Sequence, residues 1–443
     1  MEIKKTEKTD TVEMLSFGGA QFASYIFLAF SSYYLMMFFT DVALIPPALT
    51  AVFMVFYRFF DAADNQVIGI YINRKRFTDG KYRPYFKWCA LPFALSLAAL
   101  GLAPFISTSF RFIYIACTLL ICEFFYSALN VAATAMLPYL ARQDQSRSKF
   151  MAISNSCSIC AFIIVGTFML PISDFLGAGD TNRGFALTLV LFAAISIPLL
   201  YNAYFRVKEK HYSDPGTIAS IKEIFAVIGQ NKQLILFLSG FCLYFMADAF
   251  KNLTTYYYMV YIMGRLDLFP IIISAGLFSP LAMQPIIPKL LHFAKKETLI
   301  VFGLFSGTCC SLLMLAAGNR PYVLLVCVVL YGMLTAVASN MIFTLMASFS
   351  DEIRSQKNIS MSEILAAAMN LSSTIGVGIS SAVIGAVLAL VNYSPQAAVQ
   401  SAETILGIRI LYIFCTSAVL ALAGIIMLQL HKELRLQGSN CGQ

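Results

Sequence analysis

Charged side chains are scarce in this chain: 31 Lys or Arg and 23 Asp or Glu among 443 residues, 12% of the total. A soluble domain carries about twice that fraction. Here 59% of residues are hydrophobic and the mean hydropathy is +0.75. The solvent for most of the chain is therefore a bilayer, and a soluble enzyme or scaffold is excluded. Histidine is nearly absent. His211, His292 and His431 are the only three, and each lies in or beside a polar connection. That excludes a haem or a histidine-built metal centre inside the membrane. It also leaves no nucleophile, base and orienting group from which an enzyme could be assembled. Of 11 Cys, all but Cys441 lie in apolar runs, including the Cys157/Cys160 pair and the adjacent Cys309 and Cys310. They read as small buried hydrophobes rather than disulfides, and no cofactor is implied.

What is present is hydrophobic length. A spanning helix needs roughly 20 apolar residues, and apolar segments occur at 14–40, 45–72, 84–107, 112–140, 149–173 and 184–205. Six more follow at 233–262, 268–293, 298–317, 321–349, 361–391 and 404–430. The longest polar break separates the two sets. This predicts an all-α membrane protein of twelve transmembrane helices, with bundles at 1–206 and 233–430, a linker at 207–232 and a tail at 431–443. Within the linker, IKEIFAVIG reads as a short surface amphipathic helix.

The formal net charge of +8 invites a polyanionic partner, but the distribution of the basic residues explains it. With both termini on the cytoplasmic side, 24 of the 31 basic residues fall in cytoplasmic segments. Five fall outside (Arg111, Arg183, Arg265, Arg320 and Arg409), and Arg58 and Lys251 lie within spans. That is the positive-inside pattern of a multi-pass plasma-membrane protein, with no nucleic-acid partner expected. The N-terminus is charged and the first apolar run is too long for a cleavable signal peptide.

The two halves repeat each other. SSYYLMMFF at 31–39 resembles TTYYYMVYI at 254–262, in the first and seventh spans. NVAATAM at 130–136 resembles NMIFTLM at 340–346, in the fourth and tenth, pairing Asn130 with Asn340 and Thr134 with Thr344. Parallel six-helix repeats build many secondary transporters, whose solute sits near the midplane. A charge within a span is costly and usually faces the bundle interior or a wet pathway. The clear cases are Arg58, Asp61, Asp64, Glu123, Asp248 and Lys251. Arg58, Asp61 and Asn65 align on the second span, with Asp64 adjoining, and Glu123, Ser127, Asn130 and Thr134 align on the fourth. Carboxylate, amide and hydroxyl oxygens suit a hard monovalent cation, and a buried carboxylate could carry a proton instead. Internal ion pairing of Arg58 with Asp61, or of Asp248 with Lys251, is the structural alternative. After the second span, Gly69, Arg74, Gly80, Lys81 and Arg83 form a hinge-like latch, or an ordinary basic loop.

Four segments carry a family resemblance: YLMMFFTDVALIP, RFFDAADNQVIG, GKYRPYFKW and, in the second half, GRLDLFP. They resemble the glycoside-pentoside-hexuronide:cation symporters, the melibiose permease family of the major facilitator superfamily. The match is close over the first half and sparse over the second. It implies symport of sodium, lithium or a proton with a sugar or glycoside, by alternating access. The implied cation site matches Asp61 as the first acid of the second span. The second acid position falls on Asn65, with Asp64 beside it, so the pair looks exchanged. Ser127 falls on the hydroxyl ligand of the fourth span, and Asn130 falls where melibiose permease has Asp.

The implied sugar positions depart further. Tyr25 stands for an Asp, Thr134 for a stacking Trp, Asn155 for an Arg and Thr374 for a Lys. The only Trp, Trp88, lies at the edge of the third span. Glu123, Asp248 and Lys251 have no counterpart in the melibiose-type site and are added, with Asn340, to the substrate-facing set. The expectation is a monomeric secondary transporter coupling sodium or proton entry to a small organic solute such as a glycoside or uronide. The alternative is a transporter or facilitator of a less polar amphipathic solute, with coupling altered or lost. The spacing of Gly303 and Gly307 is read as packing within one bundle.

Overall fold

A computed structural model of the chain describes residues 11–74, 77, 79–140, 144–209, 229, 231–318, 320–357, 362–395, 397 and 400–440. Among them all regular structure is helical. The helices are α1 (Thr11–Tyr33), α2 (Pro47–Arg74), α3 (Arg83–Trp88), α4 (Ala90–Gly101), α5 (Thr108–Leu140), α6 (Asp144–Gly177) and α7 (Thr181–Arg206). They continue with α8 (Lys232–Tyr258), α9 (Phe269–Met283), α10 (Ile287–Phe293), α11 (Lys296–Leu313), α12 (Pro321–Lys357), α13 (Ser362–Leu390), α14 (Ala402–Arg409) and α15 (Thr416–Asn440).

Among the described residues ten helical segments are long and apolar enough to cross a membrane. The second and third of the twelve predicted spans are the ones outside that set. α2 carries Arg58, Asp61 and Asp64 in its middle, and the third span is broken at Cys89 between α3 and α4. The apolar runs end earlier than two of the helices: α12 continues to Lys357 and α15 to Asn440. Glu, Arg, Gln and Lys are good helix formers, and no Gly or Pro interrupts α12 past residue 349. Elsewhere side chains set the boundaries. Asp180 caps α7 by accepting from the Asn182 and Arg183 amides, and Asn231 does the same for α8 through Gln233 and Leu234. The amphipathic helix predicted within the linker lies outside the described residues.

The chain divides into two compact units, Met1–Ile45 with Phe59–Thr217, and Pro46–Arg58 with Ile218–Gln443. In the first, α1 packs against α6 and α7, and α4 against α7. In the second, α8 packs against α13 and α15, and α11 against α15. The pairings correspond span for span, and local structure repeats with them. α1 leads through Leu35–Met37 into a π-helical turn, Phe38–Val42, and α8 ends in the π-helical turn Met259–Met263. The Thr134 hydroxyl donates to the Asn130 carbonyl and the Thr344 hydroxyl to the Asn340 carbonyl, both at 2.9 Å.

Small residues set the close crossings of the second unit. A Cβ on Gly376 would lie 2.4 Å from the Cys242 carbonyl oxygen. One turn to either side, the Ser372 and Ser380 hydroxyls donate to the Leu238 and Met246 carbonyls of α8. Gly303 and Gly307 bring α11 against α12 in the same way, at Leu334, Thr335 and Ala338.

Candidate functional site

On α2 the buried stripe reads Thr50, Phe53, Met54, Tyr57, Asp64, Ile68 and Ile72. Asp64, only 5% exposed, therefore occupies a position that the helical period would give to an apolar residue. α5 presents Ser127, fully buried, to it: the hydroxyl donates to Asp64 Oδ1 at 3.3 Å. Asp64 Oδ2 is buried without a hydrogen-bond partner. Asp61 lies half-buried on the next face of α2, and Asn65 Nδ2 donates to its carbonyl at 2.8 Å and to its Oδ1 at 3.0 Å. The two carboxylates are within electrostatic range of each other. The α5 hydroxyl serves Asp64, while Asn65 serves Asp61.

Two acids, one amide and one hydroxyl offer oxygen to a small hard cation, and a buried carboxylate oxygen without a donor is what such an ion would satisfy. Among the described residues no cluster of three or more His, Cys, Asp or Glu suits a transition metal. Glu123, 3% exposed, lies one turn before Ser127 on α5. Tyr126 between them is within electrostatic range of Glu123, Asp61 and Asp64. Asn130 is half-buried further along α5, where its carbonyl accepts from the exposed Thr134.

Tyr25 on α1 reaches this group from the other side. Its ring stands edge-on to Tyr126 at 6.5 Å and to Phe162 at 6.2 Å, and its phenol bonds Ser158 of α6. Asn155, one turn before Ser158, is exposed. Composition and spacing did not single out Tyr126, Ser158 or Phe162. Only the position of Tyr126, three residues after Glu123 and one before Ser127, marked it.

The second unit has its own polar group. Asp248 and Lys251 sit on α8 without an ion pair within 4 Å between them. Asp248 Oδ2 accepts from Asn252 Nδ2 at 2.9 Å, and Lys251 Nζ lies 4.5 Å from the centre of the Tyr331 ring. The internal ion pair open from the sequence is therefore not the arrangement found among the described residues. Tyr244 bonds Ser339 and is within electrostatic range of Asp248. Asn340, next to Ser339, turns its amide to the Ala336 carbonyl at 2.8 Å. Thr374 is half-buried on α13, two residues from the Ser372–Gly376–Ser380 stripe that contacts α8.

Three of the five residues of the predicted latch, Gly80, Lys81 and Arg83, gather around Glu209. Glu209, three residues past α7, accepts from three successive amides: Lys81 at 2.8 Å, Tyr82 at 2.7 Å and Arg83 at 2.8 Å. These amides precede the first intrahelical bonds of α3, and a carboxylate is the natural acceptor there. Gly80 has φ +123°, and a Cβ on it would come 2.9 Å from Glu209 Oε1. Arg83 Nε donates to the Tyr204 carbonyl at 2.5 Å, and the Tyr204 phenol donates to Asp79 Oδ2 at 3.1 Å. Burial, reinforced by Tyr139, pushes the Tyr82 phenol up, so it stays neutral beside the carboxylate. Lys81 keeps its ammonium over the Tyr82 ring, and Gly69 is buried in α2. Arg74 ends α2, and its side chain is outside the described structure. No local spacing marks Glu209, because its partners lie 126 to 128 residues earlier.

The family model described as MFS/sugar transport protein matches residues 16–432. The isoprimeverose transporter of Lactiplantibacillus pentosus is 25% identical over 422 residues, covering 94% of this chain and 88% of its own. The putative glycoside/cation symporter YagG of Escherichia coli (strain K12) is 24% identical over 406 residues, covering 90% and 86%. Among solved structures, the nucleoside transporter NupG superposes with a TM-score of 0.67 at 15% identity, over 95% of this chain and 99% of its own. An inward-facing, occupied bacterial homolog of the human lysosomal transporter Spinster does so with 0.69 at 11% identity, over 95% and 96%. These likenesses agree on a transporter fold with no enzyme among them, and the chain belongs to the MFS/sugar transport protein family.

Proposed function

We propose that this chain is a cation-coupled symporter of a small sugar-like solute, working by alternating access in the plasma (inner) membrane with both termini cytoplasmic. The observation that carries the coupling is Asp64, a carboxylate on the buried stripe of α2 with one oxygen bound by Ser127 and the other unsatisfied. Asp64, Asp61, Asn65 and Ser127 hold the sodium ion or proton, with Asn130 further along α5. A cation there neutralises charge that is costly to keep in the membrane. A solute that binds only the neutralised form then shifts the population of states in the way coupling requires. The names of the relatives, a glycoside/cation symporter and an isoprimeverose transporter, support both the coupling and the solute class.

The solute-facing residues are Tyr25, Glu123, Thr134 and Asn155 from the first unit, and Asp248, Lys251, Asn340 and Thr374 from the second. Gly69, Arg74, Gly80, Lys81 and Arg83 form the latch, and the protein works as a monomer. One observation favours a less polar amphipathic solute instead. Tyr25, Tyr126 and Phe162, with Tyr33 edge-on to Phe162 at 6.0 Å, make an aromatic wall where the resemblance implied charged sugar contacts. The test is uptake of labelled glycosides into proteoliposomes under an imposed sodium or proton gradient. Accumulation against the solute gradient supports symport, and equilibration that ignores both cation gradients supports a facilitator.

A further inference from the structure

Lys87 and Trp88 close α3 where RPYFKW gives way to the uncharged ALPFALSLAALG of α4. Tyr204 and Phe205 stand at the matching point of α7, between its apolar run and Arg206, and α3 packs against α7. Basic and aromatic side chains therefore gather at the depth where hydrocarbon meets headgroups, the level that Trp and Tyr favour. Two cations share one ring there. Arg83 and Lys87, one turn apart on α3, lie over Tyr204 with the guanidinium carbon 4.7 Å and Nζ 5.3 Å from the ring centre. Nζ also lies 5.6 Å from the centre of the Trp88 ring. Ring faces attract a cation but give it no acceptor oxygen. Arg83 Nε is engaged by the Tyr204 carbonyl, and among the described residues neither its terminal amino groups nor Lys87 Nζ has an acceptor or an ion pair. The nearby acids are occupied: Asp79 Oδ2 accepts from the Tyr204 phenol, and Glu209 from the Lys81, Tyr82 and Arg83 amides. Beside the cations, Trp88 is 65% exposed and Phe205, edge-on to Tyr204 at 5.1 Å, is 63% exposed.

We propose that this surface binds an anionic glycerophospholipid, with its phosphodiester held by Arg83 and Lys87 and its acyl chains lying along Trp88 and Phe205. Two like charges on one ring without a counter-charge call for an anion. The exposed aromatic faces beside them call for an apolar tail on the same ligand, which a free phosphate lacks. The lipid joins α3 to α7 at the junction that Glu209 closes from the protein side.

Trp88 is the only tryptophan in the chain, so its fluorescence reports on this surface alone. The full-length protein is reconstituted into phosphatidylcholine vesicles containing rising fractions of phosphatidylglycerol brominated on its acyl chains, and in parallel of brominated phosphatidylcholine. Each basic residue near an anionic headgroup contributes about fivefold to binding, so the wild type should prefer phosphatidylglycerol by up to about thirtyfold in the quenching of Trp88. Lys87→Gln should lower that preference about fivefold, and Lys87→Arg should keep it. Lys208→Gln removes an exposed charge past the end of α7, outside the site, and should leave the preference unchanged. Equal quenching by the two lipids in the wild type would overturn the proposal while leaving the symporter reading intact. So would a preference that survives Lys87→Gln, or one that Lys208→Gln lowers as much, which is diffuse surface attraction rather than a site. Loss of the phosphatidylglycerol quenching on adding inorganic phosphate at constant ionic strength would overturn the lipid as occupant. Quenching by neither lipid would overturn both the site and the placement of α3 at the membrane surface.

Discussion

The Ser127 hydroxyl donates to Asp64 Oδ1 at 3.3 Å, tying the fourth span to a carboxylate on the second, 63 positions earlier. Asp64 sits on the buried stripe and Asp61 beside it is half-exposed. In the proposed cation site Asp64 is therefore the direct ligand, and Asp61, bonded by Asn65, adjusts the local charge.

Removing the hydroxyl alone should therefore weaken the site without abolishing it. A hydrogen bond to a charged group contributes about 1.5–3 kcal/mol, so Ser127→Ala should raise the cation concentration for half-maximal uptake about ten- to hundredfold. Uptake measured against cation concentration in proteoliposomes checks this. An unchanged half-maximal concentration would remove Ser127 from the site.

Glu209 and Gly80 should behave as one unit. Glu209→Ala strips the acceptor from three amides, and Gly80→Ala forces a strained φ and pushes a Cβ into the same carboxylate. Each substitution should destabilise by about 2 kcal/mol. The double variant should cost clearly less than the sum, because the second change has little left to break. Unfolding in detergent by heat or denaturant supplies the cycle, and full additivity would contradict the clasp.

Tyr25 separates polar from aromatic contributions to solute binding. Tyr25→Phe keeps the edge-on contacts with Tyr126 and Phe162 but loses the bond to Ser158. It should raise the KM for solute less than tenfold, by about one neutral hydrogen bond. Tyr25→Ala should raise it much further, with the cation dependence unchanged in both. Equal effects of the two variants would mean that the ring itself contributes nothing.

Gly376→Val should be among the most damaging substitutions in the second unit. The carbonyl 2.4 Å from its Cβ belongs to the backbone of α8 and cannot rotate away. The expected loss is about 3 kcal/mol or more, whereas Ser372→Ala and Ser380→Ala should each cost about 0.6 kcal/mol. Thermal unfolding of the three purified variants checks the ranking.

Much of the architecture was legible because the bilayer simplifies the code. Apolar length marks most spans, and the two repeats at 31–39 and 130–136 reappear as matched π-turns and matched Thr–Asn bonds. α2 was legible as a long helix despite its charges, the same charges from which the cation site is proposed. What periodicity does not show is which of two adjacent acids faces inward. Arg58, Asp61 and Asn65 share a face by spacing, but the Ser127 hydroxyl of α5 bonds Asp64. Contacts such as Glu209 with Lys81, or Lys251 with Tyr331, join distant segments through tertiary packing and have no local signature.

The central claim is that Asp64 binds the coupling cation. It is tested most directly by the melting temperature of the purified protein as sodium replaces choline at constant ionic strength, and as pH is varied without sodium. The wild type should be stabilised by sodium or by protonation, and Asp64→Asn should lose that response while remaining folded. A variant that keeps the full wild-type response would contradict the assignment.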